Sequence, residues 1–110
     1  MIIAILIGRA GSSGFPGKNT IPVLGRPLAE YPLMVAKETK SIDRLYISTD
    51  SPELIKMARS YDAHIIERPA YLCTNEALGE DAYVHAHGVI KEELTTDGLS
   101  PDIYVLLMAN

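Results

Sequence analysis

The chain opens with an unbroken aliphatic run, Ile2–Ile7, that passes directly into Gly8-Arg-Ala-Gly-Ser-Ser-Gly-Phe-Pro-Gly-Lys18-Asn19. An apolar run without polar alternation predicts a strand buried on both faces, the habit of a central parallel strand. The glycine-rich stretch behind it lets backbone N–H groups converge on one point, which suits an anion such as phosphate. Arg9 and Lys18 stand in this stretch with no acid between them. A buried parallel strand followed by an anion loop calls for an α/β sheet with its ligand at the strand's carboxyl end.

The rest of the chain continues that pattern. Pro27 predicts a helix over about 27–39 with a first turn disturbed by Pro32. Arg44–Ser48 reads as a second strand closed by Thr49-Asp50. Ser51 then caps a helix that has Pro52 at its first position and Leu54, Ile55, Ala58 and Tyr61 on one face. His64–Glu67 is a third strand, and Arg68–Asn75 is irregular. Leu78, Ala82, His85, Ala86, Val89 and Leu94 recur at helical spacing, Asp97–Pro101 is a turn cluster, and Ile103–Met108 is a fourth buried strand. This alternation predicts a Rossmann-like three-layer α/β/α fold with parallel strand order 3-2-1-4 and the glycine loop at the topological switch point. The fourth strand is a strongly hydrophobic edge of the kind natural sheets avoid, so the chain is expected to be the amino-terminal portion of a longer fold.

Composition narrows the partners. At 110 residues the chain is a single domain, and its net charge of −4 argues against nucleic-acid or anionic-membrane surfaces. Cys73 is the lone cysteine, which excludes an intrachain disulfide and fits a reducing compartment; it reads as a small buried residue. The opening MIIAILI is too short to span a bilayer and lacks the charged and cleavable flanks of a signal peptide. Asp50 reads as a cap or turn residue. Asp81 and His85, one helical turn apart, read as a helix-surface pair rather than a chelate, with His85 packed on the apolar face, and no metal ligand is assigned within the chain.

Two common phosphate loops are excluded by spacing. A P-loop needs glycine where Ser12 sits and Ser or Thr where Asn19 sits, and the dinucleotide fingerprint needs a different glycine spacing than Gly11, Gly14 and Gly17. Four ordered motifs instead carry a specific resemblance. They are GRAGSSGFPGKN, Gly25-Arg-Pro-Leu28, Asp43-Arg-Leu-Tyr-Ile-Ser-Thr-Asp50 and Arg68-Pro-Ala-Tyr-Leu-Cys-Thr-Asn-Glu-Ala77. With them the chain resembles the acylneuraminate cytidylyltransferase family (CMP-sialic acid synthetases), related to the CMP-Kdo synthetases. Lys18-Asn19 leans toward the acylneuraminate branch, because the Kdo enzymes carry Lys-Pro there.

The resemblance implies a GT-A-like fold and the reaction of CTP with an acidic sugar to give CMP-sugar and pyrophosphate, with Mg²⁺ on the phosphate oxygens and a cytoplasmic homodimer. It implies that Arg9 and Lys18 act as the catalytic cations on the triphosphate. Gly11, Ser12 and Ser13 would supply backbone donors, Asn19 would hold the ribose, and the Arg68 and Ala77 backbones would read the cytosine edge. Three departures stand out: Ser13 replaces a family lysine, Leu78-Gly79 replaces Ser-Ser, and the family's metal-binding aspartates lie beyond Asn110. The alternatives are a Kdo-type synthetase using another 2-keto-3-deoxy sugar acid, and a nucleotide-binding module without turnover.

Overall fold

Four parallel strands pair in the order β5-β4-β1-β6, with β1 (Ile2–Ile7) and β4 (Arg44–Thr49) in the middle and β5 (His64–Glu67) and β6 (Ile103–Leu107) outside. The computed structural model describes residues 1–8, 22–27, 29–69 and 79–107. The register sets Ile5 of β1 against both Tyr46 of β4 and Leu106 of β6, and Ile47 of β4 against Ile65 of β5. In chain order these strands run 3-2-1-4, as their apolar runs predict.

Three helices cover the two faces. Helices α1 (Glu30–Glu38) and α2 (Pro52–Ser60) pack on one face, where Leu33, Ala36, Leu54 and Ala58 meet Ala4, Leu6, Leu45 and Ile47. Helix α3 (Gly79–Thr96) packs on the other, placing Ala86, Ile90 and Leu94 against Ile3, Ile5, Tyr46 and Ile66. Alternate residues of each strand thus feed different cores, which is why β1 and β4 carry no polar alternation.

Several local expectations are corrected. The first helix begins at Glu30, not near Pro27, because residues 22–27 form a two-strand hairpin, β2 (Pro22–Val23) and β3 (Arg26–Pro27). Pro32 then falls in the first turn of α1, where a backbone N–H has no intrahelical acceptor, so it disturbs nothing. On α3 the buried stripe is Ala82, Ala86, Ile90 and Leu94; Val89 is exposed, and His85 is only partly buried. Small alanines at four-residue spacing bring the helix close to the sheet, and the stripe is narrower than the periodicity suggested. The fourth strand is not buried: Ile103 is 53% and Leu106 47% exposed, as befits an edge with no strand beyond it among the described residues.

Helix ends follow from sequence chemistry. The Ser51 hydroxyl accepts from Leu54 N–H at 3.3 Å and donates to Glu53 at 2.9 Å, while Ser51 N–H donates to the Thr49 hydroxyl at 3.0 Å. These bonds to its own backbone N–H and to Ser51 hold the Glu53 carboxyl below its ordinary pKa. Helices α2 and α3 both end in a Schellman turn. Asp62 and Gly98 respectively take the left-handed position, at φ 55° and 73°, and Ala63 and Leu99 close back onto the carbonyls of Ala58 and Leu94.

The amino ends of the strands are tied by carboxylates. Ile2 N–H donates to Asp43 at 2.6 Å, Asp43 N–H returns to the Ile2 carbonyl at 2.8 Å, and the amino terminus pairs with Asp102. On the α3 face, Glu93 accepts from the buried Tyr46 hydroxyl at 3.0 Å and pairs with Arg44 at 3.4 Å. Burial is the main force pushing the Tyr46 phenol above its ordinary pKa.

Two substitutions test these local assignments. Leu24 sits at φ 52° beside Gly25 at φ 83° in the two-residue hairpin turn, with its side chain 96% exposed. Leu24→Asn is expected to raise stability by about 1 kcal/mol, since asparagine tolerates the left-handed region and no packing is lost. A lower urea midpoint would contradict this. Ser51→Ala should cost about 1 kcal/mol by the same measurement, because the cap of α2 is lost.

Candidate active site

In an open α/β sheet the ligand crevice lies at the carboxyl ends of the strands, where the strand order reverses. Here the reversal falls at β1, whose neighbours β4 and β6 are reached by connections running in opposite directions. The carboxyl edge near β1 is therefore where a ligand belongs, and a polar arrangement joins the described strand ends there.

That arrangement centres on Ser48. This residue is fully buried, and by alternation along β4 it shares the α3 face with Tyr46. Its carbonyl oxygen accepts from Gly8 N–H at 3.0 Å and from Arg68 Nη2 at 3.1 Å, and its hydroxyl accepts from Arg68 Nε at 3.1 Å. One residue of β4 thus joins the end of β1 to the end of β5. Gly8 is buried just before the glycine-rich stretch, and Arg68 is part-buried just after β5. Thr49 and Ser51, also buried, continue this polar edge into the cap of α2.

The far side of the glycine-rich stretch is tied as well. Arg26 of β3 donates to Glu30 at 2.9 Å, and the Tyr61 hydroxyl donates to the same carboxylate oxygen at 2.6 Å. The hairpin is thereby fastened to the start of α1 and the end of α2. Donation to Glu30 is the leading reason the Tyr61 phenol is held above its ordinary pKa.

Of the residues predicted from sequence, Arg68 lies in this arrangement. Arg9, Gly11, Ser12, Ser13, Lys18, Asn19 and Ala77 lie outside the described residues, as do Cys73 and Leu78. Asp50 follows β4 at the same edge, partly exposed. Asp81 is exposed on α3, and the His85 Nδ1 atom is buried without a partner among the described residues. No group of three or more metal-ligating side chains exists among the described residues, and no described helix is long and apolar enough to cross a membrane.

Sequence reasoning passed over Ser48. The available signal was a small hydroxyl residue closing the otherwise apolar run Leu45-Tyr-Ile, immediately before Thr49-Asp50. It also assigned Arg68 only a backbone role, whereas its side chain is the group that the strand ends share. A separate hollow of about 210 Å³, lined by Lys37, Asp43, Arg44, Tyr61, Asp62 and His64 among others, opens at the opposite, amino-terminal edge. Its lining mixes both charges, including the Lys37–Asp62 pair at 2.7 Å, and it lies away from the switch point.

Comparison with known proteins shows the family. The cytidylyltransferase family model matches residues 3–77, a span that includes Gly8, Ser48 and Arg68. An N-acylneuraminate cytidylyltransferase of Escherichia coli is 33% identical over 85 residues, covering 77% of this chain and 20% of the relative. A 3-deoxy-manno-octulosonate cytidylyltransferase of Synechococcus elongatus is 26% identical over 84 residues, covering 76% of this chain and 34% of the relative. The chain therefore spans about a fifth to a third of the length of these relatives. A solved structure of CMP:2-keto-3-deoxy-manno-octonic acid synthetase complexed with CTP shares the fold at a TM-score of 0.69 and 20% identity, covering 99% of this chain and 40% of the other. With its parallel sheet, its joined strand ends and this family match, the chain belongs to the cytidylyltransferase family.

Proposed function

We propose that this chain holds the CTP-binding part of an enzyme that couples CTP to an acidic sugar, an N-acylneuraminate or a similar nonulosonic acid, releasing pyrophosphate. The observation that carries the reading is the convergence of Gly8 and Arg68 on Ser48 at the carboxyl edge of a sheet whose sequence matches the family. Gly8 opens the stretch proposed to cradle the triphosphate, and Arg68 opens the one proposed to read the base. Relatives named N-acylneuraminate cytidylyltransferase, CMP-N,N'-diacetyllegionaminic acid synthase and 3-deoxy-manno-octulosonate cytidylyltransferase support an acidic sugar as the acceptor class.

In the proposed reaction the anomeric hydroxyl of the sugar acid attacks the α-phosphorus of CTP. The new P–O bond forms as the bond to the β-phosphate oxygen breaks, the hydroxyl proton is lost, and pyrophosphate leaves. Arg9 and Lys18 are assigned to offset the charge on the triphosphate, with Gly11, Ser12 and Ser13 as backbone donors and Asn19 at the ribose. Catalysis of this type rests on positioning and charge stabilisation. Mg²⁺ is the cofactor we propose; bound to the phosphate oxygens it would neutralise charge. The described residues include no three-ligand group for it, so no step is assigned to a metal held by them. A homodimer in a cytoplasmic setting belongs to the same proposal.

Calorimetric titration of the protein with CTP, UTP, ATP and GTP in the presence of Mg²⁺ tests the nucleotide assignment. CTP should bind at least about tenfold tighter than UTP, since the base is read by hydrogen bonds and a mismatched edge leaves groups unpaired. Equal affinities would overturn the reading. Lys18→Ala should weaken CTP binding about tenfold or more through loss of a charge-assisted contact, leaving the melting temperature unchanged. A large fall in melting temperature would instead make Lys18 structural. Ser13, standing where the family has lysine, favours a second reading in which nucleotide binds without turnover. Pyrophosphate release with a 2-keto-3-deoxy sugar acid would exclude it.

A further inference from the structure

We infer that the Arg68 side chain is a positioning residue, which acts through Ser48 to hold Gly8 and Arg68 itself, the residues that precede the proposed phosphate-cradling and base-reading stretches, in one fixed relation. The inference rests on the CTP-binding reading for its consequence, but its geometry is independent of any nucleotide. Arg68 Nε and Nη2 engage the hydroxyl and the carbonyl of one residue, each at 3.1 Å, so the planar guanidinium is held at two points. A lysine ammonium has no such fork. The carbonyl it grips is the one that accepts Gly8 N–H at 3.0 Å. Both acceptor sites of one buried oxygen are therefore committed to residues that open different stretches, Gly8 before residues 9–21 and Arg68 before residues 70–78.

The sequence behind Arg68 adds a second restraint. Pro69 follows directly, and a residue before proline is confined to extended backbone angles. With its side chain held by Ser48 and its backbone limited by Pro69, Arg68 presents its own carbonyl in one direction. A base-reading backbone group needs that property, because ordering it at the moment of binding would cost affinity. The charge of Arg68 is secondary on this account, since what matters is the two-point grip.

Two variants of this chain, Ser48→Ala and Arg68→Lys, test the inference with two readouts. The first is amide hydrogen exchange measured by NMR without nucleotide. Gly8 should exchange about tenfold faster in Arg68→Lys and about fivefold faster in Ser48→Ala, as expected for losing hydrogen bonds to a charged group. The amides of Leu6 and Ile47 should keep their parent rates, because only the strand ends are loosened. The second readout is CTP affinity, which should fall by similar factors. The double variant should be no weaker than Arg68→Lys alone, since that change already loses the hydroxyl contact that Ser48→Ala removes.

Parent-like exchange at Gly8 in Arg68→Lys would overturn the inference, and so would undiminished CTP affinity in that variant, which would show that charge alone suffices. Additive losses in the double variant would likewise contradict it. If the parent protein binds no CTP while Gly8 exchange still responds to Arg68→Lys, the nucleotide reading fails and the positioning role stands. Ser48→Ala removes a single oxygen at a strand end, so it supplies both readouts even if Arg68→Lys does not fold.

Discussion

The Ser48 carbonyl, shared by the Gly8 N–H and the Arg68 guanidinium, is the contact on which the arrangement of this site depends. Buried backbone acceptors must be satisfied, and at the carboxyl ends of parallel strands the next residue of the ladder is missing. Here the donors are the Gly8 backbone N–H and the Arg68 guanidinium, whose planar fork bonds the carbonyl and the hydroxyl of the same residue. The opposite edge solves the complementary problem with the opposite charge. There Asp43 and Asp102 meet the N–H groups that start β1. Asp43 and Asp102 thus stand at the amino edge of the sheet and the Arg68 guanidinium at its carboxyl edge, from which the stretch containing Arg9 and Lys18 leaves.

The layers explain why this edge is the one that matters. Helices α1 and α2 fill one face and α3 the other, so the chain reverses its direction of travel across the sheet at β1. Strand ends on either side of that reversal are not bridged by a common helix, which leaves a crevice. The hairpin of β2 and β3, fastened by Arg26 and Tyr61 to Glu30, returns the chain to the α1 layer. The described residues on either side of the glycine-rich stretch, Gly8 and Arg26, are each held by polar contacts.

Much of this was legible in the sequence, for identifiable reasons. The unbroken runs Ile2–Ile7 and Arg44–Ser48 announce strands buried on both faces, and Ser51-Pro52-Glu53 announces a capped helix, because each pattern has one cheap structural solution. The hairpin at 22–27 was hidden because its turn uses Leu24, a residue that rarely adopts positive φ, in place of the asparagine or aspartate that signals such turns. The start of α1 was misplaced for a related reason: Pro27 is a helix-starting residue by propensity but is committed to the hairpin. On α3, Ile90 rather than Val89 faces the core, because the buried stripe follows the four-residue spacing of Ala82, Ala86, Ile90 and Leu94. The role of Ser48 was illegible because it depends on two donors from distant parts of the chain.

The central claim is that nucleotide binds at the carboxyl edge around Gly8, Ser48 and Arg68, and amide chemical-shift mapping with CTP and Mg²⁺ tests it most directly. The account predicts that the largest shifts fall on Gly8, Thr49, Asp50 and Arg68, with Asp43, Asp62 and His64 unmoved. Shifts concentrated instead on Lys37, Asp43, Asp62 and His64, around the hollow at the amino edge, would contradict it.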